Sequence, residues 1–266
     1  MSKLSMDAFT LKLIAIISMG VHHTAMILWQ IFPMWVHIPL YLIRGVTFPI
    51  MAFFVVEGFR RTRNVKRYML RLLIFGAIAQ VPYTLALGIF TLNIVFAILL
   101  GLICLVMHSK LYIERGKKAL FVILFILILM VATVTVEGSF AGILMIFLFY
   151  IIKNEMKRRT VPLIIWGAFM ISASLLSRVA LSLLDFVGDP AVMVELIGSL
   201  DYALMMYQYF LIPIGTFLII PLLRSYNGEL GRRAKYLFYT FYPLHFAILA
   251  AIAFALGIGA WPTLLS

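Results

Sequence analysis

Acid is scarce in this sequence: ten Asp and Glu stand against 22 Lys and Arg in 266 residues, and together these make up only 12% of the chain. A soluble domain usually carries about a quarter charged residues and about half apolar ones. Here 64% are hydrophobic and the mean hydropathy is +1.10. That much apolar surface cannot be hidden in a water-soluble core of this size, so the bilayer is the expected solvent. Cysteine is nearly absent as well. Cys104, the single one, lies in an apolar run, which excludes an intrachain disulfide and a cysteine metal site. The GxxxxGK[ST] phosphate loop, the GxGxxG turn, the HExxH zinc helix and the GxSxG elbow are all missing. No His/Cys/Asp/Glu cluster has metal-ligand spacing, so no metal is expected. Linkers, low-complexity tracts and clear internal repeats are lacking too, and residues 1–266 read as a single transmembrane domain.

What is present is a series of apolar runs with short breaks. They fall near Leu11–Trp29, Leu40–Phe59, Tyr68–Ile89, Leu92–Met107, Ala119–Val136, Phe140–Ile152, Val161–Leu181, Leu200–Leu223 and Tyr236–Gly259. Most are long enough to cross a hydrocarbon core of about 30 Å as a helix. The expected fold is therefore all-α: a polytopic helical membrane protein with about nine transmembrane helices. The first run lacks a small-residue cleavage site and ends among Trp29, Phe32 and Trp35, so it reads as a retained helix. The stretch Ser182–Ser199 reads as an external loop with a short amphipathic helix.

The net charge of +12 does not point to nucleic acid, because the basic residues sit in short clusters between apolar runs. Lys3 and Lys12 precede or open the first run; Arg60, Arg61, Arg63, Lys66, Arg67 and Arg71 follow the second. Lys110, Arg115, Lys117 and Lys118 follow the fourth, Lys153 to Arg159 the sixth, and Arg224 to Lys235 the eighth. The intervening breaks hold Glu137, Asp185, Asp189, Glu195 and Asp201, with little Lys or Arg beyond Arg44 and Arg178. Every strongly basic break thus falls on one side, which predicts a cytoplasmic N-terminus in the plasma or inner membrane.

Polar residues inside the runs are functional candidates by default, because each costs several kcal/mol there. Lys12 and His23 are eleven residues apart, close to three helical turns, so they share a face about 16 Å apart along the axis. His22 points about 100° away. His245, ten residues beyond Lys235, could reach the depth of His23 if the first and last helices meet. Pro243 beside it frees a backbone carbonyl. Arg44 and Asn93 lie toward the external ends of their helices, Glu57 and Arg71 toward the cytoplasmic side, and Gln80 mid-span. Structural roles are open for each: interhelical hydrogen bonding for the histidines, snorkelling for Lys12 and Arg71, a salt bridge for Glu57, and a helix cap for Asn93.

Several ordered segments carry a resemblance. They are Leu11-Lys-Leu-Ile-Ala with His23, Arg44-Gly-Val-Thr-Phe-Pro49, Phe53-Phe-Val-Val-Glu57-Gly-Phe, Thr62-Arg-Asn64, and Tyr68 with Arg71-Leu-Leu. Gln80-Val-Pro82-Tyr, Leu92-Asn93, Leu100-Gly101, Lys235-Tyr-Leu-Phe-Tyr and Tyr242-Pro-Leu-His245 follow. In this order they resemble the TraX family, membrane proteins named for acetylation of conjugative pilin subunits. Lys12 and His23 also look like the basic residue, ten-residue gap and histidine of the acyltransferase-3 membrane enzymes. One departure is His22, where TraX-like sequences usually carry an acidic residue.

The resemblance implies acetyl transfer from acetyl-CoA, used as a substrate with no permanently bound cofactor. His23 would be the general base, with Arg44, Asn93 or His245 supplying oxyanion donors. Lys12, Glu57, Arg60, Arg63 and Arg71 would attend the donor at a basic cytoplasmic mouth. The expected partners are acetyl-CoA, an extracytoplasmic peptide or glycan acceptor and membrane lipids. Two other readings stay open: a transporter or channel, since a polar path through a bundle also serves transport, and a structural component of a conjugation or secretion assembly.

Overall fold

The structure, a computed structural model, describes residues 5–187 and 200–258. Each expected apolar run forms a helix: α1 (Ala8–Ile27), α2 (Met34–Arg61), α3 (Val65–Leu87), α4 (Ile94–Met107), α5 (Lys118–Thr135) and α6 (Ser139–Ile151). After a single turn, α7 (Glu155–Arg158), come α8 (Val161–Val187), α9 (Leu200–Arg224) and α10 (Lys235–Ala255). Among the described residues there is no strand, only two isolated bridges, Met6 with Tyr226 and Leu92 with Val136. This is a helical membrane protein. Its lipid-facing surfaces are as apolar as its core: on α5 alone Ile123, Ile126, Met130 and Val134 are exposed.

The expected count of nine spans is not carried over by length and apolarity. Among the described residues six helices meet both, namely Ala8–Ile27, Trp35–Arg61, Val65–Leu87, Ile94–Glu114, Lys118–Thr135 and Tyr236–Ala255. Phe140–Ile151 is a shorter apolar helix, and Phe210–Arg224 is the apolar latter part of α9. The loop expected from Ser182 also starts later, because α8 continues to Val187; the rest of that stretch, with Asp189 and Glu195, lies outside the described residues. Past Met107 the chain keeps coiling as a π-helical segment, His108–Glu114.

Helix α2 is the axis of the bundle, touching α1, α4, α6 and α9, while α10 lies against α3 and α1. Its crossing with α9 is close because Gly45 and Gly215 face each other's backbones: a Cβ on either would strike main-chain atoms of the opposite helix. The Thr216 hydroxyl donates to the Gly45 carbonyl there at 3.2 Å. Small residues at a crossing let two backbones approach, which is how helices associate where no hydrophobic drive separates them from lipid. The core is filled by Leu11, Phe53, Tyr83, Phe149 and Phe246, all fully buried.

The two ends of the bundle differ. At one end the Met6 amide donates to the Ser225 carbonyl and the Asn227 amide to the Met6 carbonyl, both at 2.9 Å, and Ala8 N–H to Glu229 O at 2.9 Å. Arg60 donates to the Tyr150 carbonyl at 3.1 Å and Arg159 to the Tyr226 carbonyl at 2.8 Å. The segments after α2, α6 and α9 and before α1 therefore meet at one end, with the basic clusters expected to share a side. At the other end Leu92 N–H donates to Thr135 O at 2.8 Å and Glu137 N–H to Leu92 O at 2.7 Å, joining the connectors that are poor in Lys and Arg.

Candidate active site

The contact of α1 with α10 brings together two histidines 222 residues apart. His23 Nδ1 and His245 Nε2 lie 2.8 Å apart, with the rings stacked at 5.0 Å between centroids and both side chains buried. The tautomers follow from the next link. His245 Nδ1 is 3.0 Å from the Phe241 carbonyl, which can only accept, so His245 carries its proton on Nδ1. In a neutral ring Nε2 is then a bare acceptor, and His23 Nδ1–H must donate to it. A neutral His23 in this arrangement presents an unprotonated Nε2. Phe246 lies against both rings at 4.6 and 4.2 Å, fixing their planes.

His22 extends the cluster outward, its ring 4.9 Å from that of His23. It lines a cavity of about 230 Å³ with Arg44, His37, Tyr41 and Trp29, at the end of the bundle poor in basic residues. A larger, apolar groove of about 500 Å³ runs beside it down α1 from Ala25 past Gly20 to Ile16, with Phe241 in its wall. The Arg44 guanidinium is close enough to act electrostatically on His22, His23, Tyr83 and Glu137.

Glu137, in the turn between α5 and α6, was not among the expected site residues. Burial pushes its carboxyl up from the ordinary value, while Arg44, the Ile94 amide at 3.1 Å and the Tyr83 hydroxyl pull it back. The Tyr242 hydroxyl, near the same carboxylate and the Ile94 amide, is buried, and its proton has no acceptor among the described residues. Its ring lies 5.5 Å from His245. The only hints in the sequence were an acid placed directly before a turn glycine and two tyrosines beside helix prolines.

The other expected residues have partners of their own. Asn93 is fully buried and is the N-cap of α4: Oδ1 accepts from Val95 N–H at 3.1 Å, and Nδ2 donates to Gly76 O at 2.8 Å and Gln80 Oε1 at 2.9 Å. Both amide protons are committed, so in this conformation Asn93 has none for an oxyanion. Lys12 holds its ammonium over the Phe54 ring at 4.8 Å and the Phe238 ring at 5.8 Å, on the basic side of the histidines.

At the basic end Glu57, expected to attend a donor molecule, has both carboxylate oxygens occupied. Arg158 lies 2.9 Å from one and Arg61 3.0 Å from the other. The physical reason is Arg158, only 2% exposed, a buried cation that a run of basic residues in the sequence disguised as one more surface charge. Glu155 completes its pairing at 2.7 Å. Arg60 spans to Tyr150, Arg71 lies over the Tyr68 ring at 5.7 Å, and Arg63 is exposed. Among the described residues no group of three His, Cys, Asp or Glu could hold a metal ion.

Comparison with known proteins gives this arrangement a family. The family model described as TraX protein matches residues 8–253. A relative in Dichelobacter nodosus, described as a probable fimbrial assembly protein FimC of serogroup H1, is 30% identical over 260 residues, which is 92% of this chain and 95% of that protein. No solved structure matches significantly. The match begins at the first residue of α1 and ends two residues short of the end of α10, so it contains both histidines of the pair: this chain belongs to the TraX family.

Proposed function

We propose that this protein is a membrane-embedded acetyltransferase of the inner membrane, moving an acetyl group from cytoplasmic acetyl-CoA to an amine or hydroxyl of an extracytoplasmic acceptor. The observation that carries the proposal is the chain from the Phe241 carbonyl through His245 to His23, which leaves His23 Nε2 bare in the bundle. An imidazole held this way is the usual form of a general base, with its partner fixing the tautomer and stabilising the cation that forms.

The acceptor N–H or O–H gives its proton to His23 Nε2 as its nitrogen or oxygen attacks the thioester carbonyl. The tetrahedral oxyanion takes a hydrogen bond from the Tyr242 hydroxyl, a buried donor whose proton has no acceptor among the described residues. Collapse breaks the C–S bond, and the proton on His23 passes to the departing thiolate, leaving acetylated acceptor and free CoA. Lys12 and the exposed Arg63 give the basic end the charge to attract the phosphates of the donor. The basic connectors gathered at one end support a cytoplasmic N-terminus. The family, and a relative described as a fimbrial assembly protein, support an acceptor related to pilin or fimbrial subunits.

Purified protein in lipid nanodiscs with labelled acetyl-CoA and outer-surface peptides or glycans tests the reading. Transfer is expected in the native protein and a loss of at least about 100-fold in His23→Gln, in the range of a lost general base. The relative's name favours one other reading, a component that only supports assembly. That reading takes over if His23→Gln keeps full activity in assembling surface fibres and no acetyl mark distinguishes the strains by mass spectrometry.

A further inference from the structure

The cavity beside His22 carries an arginine that forms no ion pair among the described residues. Arg44 sits ten residues into α2, about 15 Å from its outer end. Among the described residues no carboxylate oxygen lies within 4.0 Å of its guanidinium nitrogens. Glu137 is an opposite charge in its electrostatic reach, but one carboxylate oxygen of Glu137 is turned to the Ile94 amide. An arginine inside the apolar part of a bundle is costly unless it faces water or a counter-charge. Arg44 does face an opening: it is the one charged residue among those lining the 230 Å³ cavity.

The walls define the rest of the ligand. Trp29, Tyr41 and His37 give flat ring surfaces, and the His37 and Tyr41 rings lie 6.4 Å apart. His37 Nε2 donates to the Phe32 carbonyl at 3.3 Å, so a neutral His37 keeps Nδ1 as an acceptor. His22 forms the inner wall, and its ring is 4.9 Å from His23. A molecule anchored on Arg44 is therefore separated from the proposed base by one side chain, His22.

We infer that this cavity is the acceptor subsite and takes a carboxylate-bearing molecule, its oxyanion on Arg44 and its acetylated group toward His23. This rests on the acetyltransferase reading for the role of the site, though the binding itself does not. A planar guanidinium pairs with a carboxylate through two parallel hydrogen bonds, which a neutral analogue lacks. The same charge repels an alkylammonium, so an acceptor amine would enter as the free base.

Isothermal titration of the protein in phosphatidylcholine nanodiscs, without acetyl-CoA, tests this with D-glucuronate and D-glucose as probes. Glucuronate is expected to bind at least tenfold more tightly than glucose, with that preference lost in Arg44→Gln, reduced but still present in Arg44→Lys and unchanged in Lys153→Gln at the opposite, basic end. Equal binding of the two sugars, or an unaltered preference in Arg44→Gln, overturns the inference. Loss of glucuronate binding when phosphatidylglycerol replaces part of the lipid overturns it also, since the cavity then takes a lipid phosphate. Binding that survives in a protein with no acetyl transfer would sink the catalytic reading and leave the carboxylate site standing.

Discussion

Arg158 and His245 do different kinds of work with the same tool, a polar side chain turned into an apolar bundle. Arg158 is held by Glu57 and Glu155, and removing one partner of a buried pair leaves a desolvated charge costing about 3–5 kcal/mol. Arg158→Ala is expected to lower the thermal midpoint of the detergent-solubilised protein clearly. The double variant Arg158→Met with Glu57→Leu should recover most of it, and a double variant no better than the single one would refute the pairing. His245, by contrast, orients a neighbour. His245→Phe is expected to cut transfer by about 100-fold, of the order of a misplaced general base, with a changed pH–rate profile and little change in melting. An unchanged profile would make the residue mere filling. From sequence, helical rise and charge positions gave His23 and His245 a similar depth on condition that the first and last helices meet. Their tautomers were not legible there, because these depend on where the Phe241 carbonyl points, a matter of backbone in three dimensions.

Two contacts decide how the helices sit. At the crossing of α2 and α9, Gly45 and Gly215 leave no room for a methyl group, and the neighbours that would have to yield are backbone atoms. Gly215→Ala should therefore reduce the folded yield, and Gly215→Leu should nearly abolish it. Equal yields by fluorescence size-exclusion chromatography would argue against so close an approach. At α4 the buried cap Asn93 ties to Gln80 and Gly76 of α3, and Asn93→Ala is expected to cost about 1–2 kcal/mol or more. Loss of activity in that variant should follow loss of fold, with a normal rate per folded molecule. The helices themselves were legible as apolar runs within a few residues of their ends, since a run that must hide its amides in lipid has only one conformation open to it. Pairings such as α2 with α9 were not. Gly45 and Gly215 are ordinary glycines until a second backbone is laid across them.

The molecule as a whole has one basic end and one nearly neutral end, and that asymmetry was readable from the spacing of Lys and Arg. Which helices qualify as spans by length was less so, because α6 is short and the expected loop after Leu181 begins as helix. Sidedness can be checked with the native cysteine left in place, since Cys104 is fully buried. Gln30→Cys and Phe90→Cys, on the neutral end, should react with an impermeant maleimide on intact cells. Lys153→Cys and Arg63→Cys should react only after permeabilisation. The opposite pattern would invert the membrane orientation and place the acceptor cavity inside.

The backbone clasp between Met6 and the turn after α9 has a further consequence for biogenesis. Residues made before α1 are fastened to residues made only after α9, and the two imidazoles meet across that same span. A nascent chain halted after α9 would hold His23 in the bilayer without its companion. On the proposed reading, acetyl transfer would thus stay switched off until α10 is made, and a product lacking α10 would be inert, however well its remaining helices insert.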